Sequence, residues 1–131
     1  MDTDQLLALM PFAVATGVER DRADAAEVAG RLAWTPERCT AGGVLHGGAL
    51  MTLADTVGAV CAFLNLPTGA STSTVSSSTS LMRAVRTGSA HAAARPLHVG
   101  RSFITLAVDL TDDEGRPVAH VTQTQAVLTA S

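Results

Sequence analysis

The sequence predicts an α+β fold: one antiparallel β-sheet carrying a long apolar helix on its concave face. Three observations predict it. Residues 44–66 (VLHGGALMTLADTVGAVCAFLNL) are apolar nearly all the way round, the pattern of a buried helix. After Pro67 the pattern changes to four segments of strand character. The order is then a short helix, two strands, the long helix and four strands, which places the chain in the α+β class.

The 131 residues amount to one domain, taken as 1–131. A chain of this size buries about two-thirds of its unfolded surface, so it can build a core without disulfides or metal. Hydrophobic residues make up 47% and aromatic ones only 3%, so Ala, Val and Leu must form that core. Charged residues make up 16%, well below the roughly 25% of an average domain. Such a surface suggests that part of it is covered in an oligomer.

Residues 3–10 (TDQLLALM) read as one or two helical turns, with Thr3 or Asp4 as the cap. The apolar stretch Phe12–Val18 reads as the first strand and residues 19–24 as the turn after it. Residues 24–34 read as the second strand, with Ala26, Val28 and Leu32 on one parity. Pro36 to Gly43 is loop, punctuated by Pro and paired Gly.

The helix over 44–66 has the roughly 20 residues that a membrane span needs. Against a span stand His46, Gly47, Gly48 and Asp55. An Asp near mid-span costs about 2.5–3.5 kcal/mol on insertion scales, so a core helix is the better account. Residues 70–82 (ASTSTVSSSTSLM) are almost all Ser and Thr, a composition often found in linkers. The run is short and free of Pro, and Thr and Val favour strands, so it reads as a strand with a polar face. Residues 89–99, 101–110 and 117–128 complete the sheet, and Asp112-Asp113-Glu114-Gly115 is a hairpin turn.

Several function classes are excluded. The net charge is −3 and all nine basic residues are scattered Arg, so no basic patch marks a nucleic-acid partner. Cys39 and Cys61 form neither a disulfide framework nor a metal spacing, and Cys61 reads as an inert core thiol. His91 and His98, seven apart, should face opposite sides of one strand and make no metal pair. There is no G-x-S-x-G elbow. The acidic start lacks the positive charge of a signal peptide, and the expected location is the cytoplasm.

Asp55 is the first candidate for chemistry. It is the only carboxylate between Glu37 and Asp109 and sits in the middle of the apolar helix. A buried acid is a candidate base, nucleophile or acid. The plainer alternative is an Asp that points to solvent. His46-Gly47-Gly48 opens the same helix, where free N–H groups and a partial positive charge can receive an oxyanion. The plainer alternative there is a tight loop.

His46-Gly47-Gly48, six residues and Asp55 resemble the HGG-x6-D/E signature of hotdog-fold acyl-CoA thioesterases, nearest the phenylacetate-degradation-type and aryl-CoA group. Gly43 fits that family's loop. Leu81-Met82-Arg83 resembles the end of its first long strand after the helix, with Ala84 in the place of a Pro. Residues 97–101 resemble a family turn and residues 113–119 its last hairpin, so the likeness runs over about 35–128.

The resemblance implies a cofactor-free, metal-free thioesterase on a hotdog fold. The Gly47 N–H would polarise the thioester carbonyl, and Asp55 would attack it or activate water. Thr74 falls about where the family orients that water or carboxylate, with Ser73 the competing position. His46 would hold the loop or assist polarisation; a structural His bonded to backbone is the alternative. Thr40 stands where many relatives carry Asn or Gln. A Thr hydroxyl reaches less far than an amide, which bears on the rate and on substrate preference. Gly48, Ser73 and Arg101 would contact the CoA substrate, Arg101 through its phosphates; an ordinary solvated Arg is the alternative, and Arg83 and Arg86 are weaker candidates. The implied partner is an acyl-CoA, with no nucleic acid and no membrane, in a homodimer or homotetramer whose sites are shared between subunits. The rival readings are an acyl-CoA binding module without turnover and a hydratase or dehydratase on the same fold.

Overall fold

The computed structural model describes residues 3–129. Two short helices, α1 (Thr3–Ala8) and α2 (Pro11–Thr16), lead into strands β1 (Glu19–Ala23) and β2 (Val28–Ala33). A 3-10 turn at Pro36–Arg38 and the small hairpin of β3 (Cys39–Thr40) and β4 (Val44–Leu45) bring the chain to α3 (Gly47–Leu64). Four strands follow: β5 (Ser71–Leu81), β6 (Ser89–Val99), β7 (Phe103–Thr111) and β8 (Pro117–Leu128). Six strands make one antiparallel sheet in the order β1-β2-β6-β7-β8-β5, and α3 packs on β2, β6, β7, β8 and the edge strand β5.

Burial shows why α3 lies there. Leu50, Leu53, Ala54, Val57, Val60, Cys61 and Ala62 are buried on the helix. Opposite them Leu32, Ala90, Ala92, Ala94, Ile104, Leu106, Val108 and Val121 are buried on the strands. The inward residues of β6 are mostly Ala, so large helix side chains meet small strand side chains. At Gly30 of β2 a Cβ would stand 2.9 Å from Val57 Cγ1 and 2.9 Å from the Glu19 carbonyl oxygen. A side chain at that position would push the helix off the sheet.

The helix is not covered on every side, as the sequence pattern suggests. Met51, Asp55 and Phe63 are exposed, and half of α3 is buried. Its length and hydropathy would suit a membrane crossing, but its buried half packs on the sheet.

The helical turns expected over 3–10 are α1, and the departure from the expected pattern lies between residues 11 and 27. Residues 11–16 form α2 rather than a strand. Pro11 stands at its first position, and Gly17 ends it at φ 97°, donating to the Ala13 and Val14 carbonyls. Pro at the start and Gly just past the end are helix punctuation, which outweighs the strand-like run of apolar residues. Residues 19–23 form the edge strand β1 rather than a turn. They pair with β2 and are stitched to it by Arg31, which reaches Glu19 at 3.3 Å and also Asp21. A charged edge strand discourages pairing with other chains. The turn comes one step later, where Asp24 Oδ1 accepts from the Ala26 and Glu27 N–H groups at 2.9 and 3.0 Å. Ala26 therefore lies outside β2 and is exposed, whereas Val28 and Leu32 are buried as expected.

A cap by the Thr3 side chain lies outside the described residues. Asp4 sits in the first turn of α1, and its carboxylate takes Arg20 Nε at 3.0 Å. The expected loop over 36–43 contains the 3-10 turn and β3.

The Ser/Thr run is β5, eleven residues long, paired on one side with β8. It is the sheet's other edge. The strand bulges at Val75, between the registered residues Thr74 and Ser76. A second bulge, at Leu97, separates Pro96 from His98 on β6. It shifts the parity, so His98 lies opposite Thr105 and His91 opposite Thr111, both on the outer face. The expectation of opposite faces fails for that reason. Among the described residues no three His, Cys, Asp or Glu side chains come together as a metal site.

Three aspartates lie below the ordinary value of 3.8. Asp24 is lowered by the Glu27 N–H and the Arg22 side chain, against partial burial. Asp109 is lowered by hydrogen bonds from His120 and Arg95, both at 2.7 Å. At Asp112 burial pulls upward but is outweighed by the N–H and side chain of Arg116 and by the Glu114 N–H. A lowered folded pKa gives stability that is complete above the unfolded value and lost as pH falls through the folded one. The unfolding midpoint is therefore expected to drop below about pH 4, and Asp112→Asn to flatten that drop between about pH 4 and 2 in a urea titration series.

Candidate active site

The N-terminus of α3 is built around His46. Its backbone is extended (φ −62°, ψ 135°) and its Nδ1 accepts the Gly48 N–H at 2.8 Å. The ring is thus the helix cap, with its proton on Nε2. The His46 N–H donates to the Arg38 carbonyl at 2.9 Å, which ties the preceding loop to the cap. The ring is thus tied to backbone on the Nδ1 side.

Gly48 has to be small, because a Cβ there would stand 2.9 Å from His46 Nδ1. Gly47 faces the side chain of Leu81, whose Cδ1 would lie 2.8 Å from an added Cβ. The Gly48 N–H is used by the cap. The Gly47 N–H carries no hydrogen bond within the described residues.

Asp55 lies two turns further along α3. It is exposed in the single chain, so burial is not what distinguishes it. What distinguishes it is the set of donors on Oδ1. Thr74 Oγ1 donates to Oδ1 at 2.8 Å and Gln123 Nε2 donates to it at 2.6 Å. Oδ2 carries no hydrogen bond within the described residues. Thr74 is the β5 residue that meets Asp55, and Ser73 points to the other face.

Behind these donors stands a second layer. Gln125 Nε2 donates to Thr74 Oγ1 at 2.7 Å and to Gln123 Oε1 at 2.8 Å. The Thr72 hydroxyl lies 3.1 Å from Gln125 Oε1 and 2.8 Å from the Ala126 carbonyl. Gln123 and Gln125 are both 0% exposed. Neither was singled out from the sequence. The signal was present in β8, where they alternate with Thr and share the parity of Val121 and Val127, the inward side of the strand.

Two open grooves run along α3. One, of about 680 Å³, is lined by His46, Gly48, Ala49, Thr52, Arg38 and Phe12 among others. The second, of about 480 Å³, is lined by Asp55, Thr74, Ser77, Met51, Thr52 and Phe12 among others. Thr52 and Phe12 stand between them. Gly47 and Asp55 are eight residues apart on one helix, an axial separation of about 12 Å. One chain therefore does not bring the free N–H and the carboxylate to a common point.

The remaining candidates lie elsewhere. Thr40 is exposed on β3, paired with Val44, and lines neither groove. Arg101 is exposed in the β6–β7 turn, two residues before Phe103, which is registered opposite Ala126 and, through it, Ser73. Arg86 donates to the Gly42 carbonyl at 3.3 Å. Cys61 is fully buried, and burial, with the charges of Asp24 and Glu27 adding, pushes its thiol up to about 11.

A family model described as the thioesterase superfamily matches residues 42–119, more than half of the chain. The proofreading thioesterase EntH of Cronobacter sakazakii is 35% identical over 74 residues, covering 56% of this chain and 54% of EntH. The chain spans just over half the length of the curated relatives it matches. Among solved structures, a variant of thioesterase PA1618 from Pseudomonas aeruginosa superposes with a TM-score of 0.92 at 25% identity, covering 99% of this chain and 96% of that one. A hypothetical thioesterase protein of Streptococcus pneumoniae, solved with coenzyme A, superposes with a TM-score of 0.83 at 23% identity, covering 95% and 99%, and shares the fold. The sheet wrapped around α3 is the hotdog architecture.

Two outcomes follow from this geometry. His46→Ala should remove the cap and lower stability by about 0.5–2 kcal/mol, read by urea unfolding. A thiol reagent at pH 8 should leave Cys61 unmodified until the protein is unfolded, read by mass spectrometry of the labelled chain.

Proposed function

The chain belongs to the thioesterase superfamily, and on that premise we propose that it hydrolyses an acyl-CoA thioester to a carboxylate and free CoA. The observation that carries this reading is Asp55: one carboxylate oxygen is held by Thr74 and Gln123, and the other, at an open groove, has no hydrogen bond among the described residues. Oδ2 either attacks the thioester carbon or takes a proton from the water that does. If Oδ2 takes the proton, the water oxygen forms the new C–O bond, the C–S bond breaks, and the departing thiolate recovers that proton from Asp55. If Oδ2 attacks, the C–S bond breaks to leave an anhydride on Asp55, which water then cleaves, freeing the carboxylate and giving a proton to the thiolate. The carbonyl oxygen gathers negative charge on the way, and the Gly47 N–H at the positive end of α3, which has no partner among the described residues, is the donor suited to it. In this reading the reaction uses protein groups and water, with neither metal nor organic cofactor.

The axial distance of about 12 Å between Gly47 and Asp55 is far beyond the roughly 3–3.5 Å that reacting groups need. The proposed site is therefore shared: Asp55 of one subunit acts beside Gly47 of its partner in a homodimer. An exposed α3 face and the open outer edge of β5 support that pairing. Phe12, 71% exposed between the two grooves, supports it too. Pairing of dimers into tetramers is compatible with the reaction and is not needed for it. Gly48, Ser73 and Arg101 are proposed contacts of the CoA moiety. Arg101 is suited to phosphate by its exposed guanidinium at the sheet end that also holds Ser73. The proposed compartment is the cytoplasm, and the two free cysteines suit it.

A second reading, an acyl-CoA binding module without turnover, is favoured only by Thr40 in the place where the family resemblance implies an amide. Thiol release from a panel of aryl and straight-chain acyl-CoAs separates the two. Release ranks the acyl groups; binding without release over hours selects the module.

Asp55→Asn should leave less than about a tenth of the wild-type kcat. Gly47→Pro deletes the proposed donor at a helix position whose backbone accepts Pro, after a residue whose ψ of 135° already suits one, with the end of the Leu81 side chain shifting to admit its Cβ. It should lower kcat by about 100-fold or more with the helix retained by circular dichroism. Mixing the two variants under subunit exchange should restore about a quarter of the wild-type rate, because half the dimers then hold one complete site of two. No recovery from exchanged dimers would contradict the shared site.

A further inference from the structure

We propose that Gln123 and Gln125 are positioning residues for the hydrolysis, holding the Asp55 carboxylate in its reactive orientation from inside the sheet. The inference rests on the reading of Asp55 as the reacting carboxylate and assigns roles to two residues that touch no substrate.

The hydrogen-bond order admits one direction. An ionised carboxylate only accepts, so Gln123 must present its NH2 to Asp55 Oδ1, at 2.6 Å. That turns Gln123 Oε1 inward, where it needs a donor. Gln125 supplies one through Nε2 at 2.8 Å. The second proton of the same nitrogen goes to Thr74 Oγ1 at 2.7 Å, which orients the Thr74 hydroxyl to donate to Oδ1. Gln125 thus acts on Asp55 along two routes, through Gln123 and through Thr74. The routes converge on one oxygen and leave Oδ2 for the reaction. Both amides are fully buried, so water does not compete for their donors.

Backbone geometry accommodates the arrangement. Gln123 and Gln125 sit opposite Ser77 and Thr74 in the β8–β5 register, and the bulge at Val75 keeps both of those β5 residues on the helix side. On α3, Gly58 leaves the room that Gln123 occupies, because a Cβ there would overlap Gln123 Oε1. A helix interior disfavours Gly, so this glycine gives up helix propensity where the amide needs space.

The test is steady-state kinetics with unfolding curves on the whole protein, for Gln123→Met, Gln125→Met and Gly58→Ala beside Asp55→Asn. Gln123→Met keeps the side chain's length and removes the donor. Gly58→Ala leaves the donor in place and displaces it from the helix side. The expected result is a kcat lowered about 10-fold or more in Gln123→Met and Gly58→Ala, with KM within about twofold of wild type. A merely structural role would lower the folded fraction and leave the kcat per folded molecule unchanged. If Gln123→Met fails to fold, Gly58→Ala decides.

Wild-type kcat per folded molecule in the folded Gln and Gly58 variants, with Asp55→Asn inactive, overturns the positioning role and leaves the thioesterase reading standing. Wild-type kcat in Asp55→Asn, or no release from any acyl-CoA, overturns both.

Discussion

The close approach of α3 to the curled sheet is the constraint on which the rest depends. The helix must pack against the strands without a gap, because a void along it would forfeit both hydrophobic burial and dispersion contact. Alanines at the inward positions of β6 and glycine at position 30 of β2 make that approach feasible. With the helix fixed, its N-terminus is fixed, and so are the His46 cap and the Gly47 N–H. The position of Asp55 against β5 and β8 follows from the same docking. The proposed site is therefore a by-product of core packing, with no flexible loop needed to assemble its carboxylate.

Much of this was legible in the sequence where one period dominated. The apolar helix and the last hairpin, with its turn at Asp112 to Gly115, were read with small shifts at their ends. The Ser/Thr run was read correctly as a strand because Thr tolerates extended backbone whatever its polarity. Residues 11–27 were misread because six or seven apolar residues fit a strand or a helix equally well. Only Pro11 and Gly17 separate the two, and they act through backbone geometry rather than periodicity. The paired charges of β1 resemble a turn to any composition rule. They form a strand because the Arg31 pairs and the β2 ladder hold them there.

The site divides along the same line. His46, Gly47, Gly48 and Asp55 are close in sequence, so a motif can display them together. Thr74 required the register of β5, which left Ser73 as a rival until the Asp55 hydrogen bond separated them. Gln123 and Gln125 are more than sixty residues from Asp55 and carry an ordinary polar identity. Their parity with Val121 and Val127 placed them inward, but a polar residue inside a strand attracts attention only when its partner is known.

The choice of amides over charged groups bears on the chemistry. An Arg or Lys beside Asp55 would fix the carboxylate equally well, but would also set a full positive charge against the oxygen that has to attack or take a proton. Neutral amides and hydroxyls fix the geometry and leave the negative charge in place. Their cost is desolvation, which is offset only where every buried donor and acceptor finds a partner. In the Gln123–Gln125 layer the condition is met at each amide oxygen and at each nitrogen. A partner at each of these buried amide atoms is the condition under which neutral groups can hold Asp55 in place without offsetting its charge.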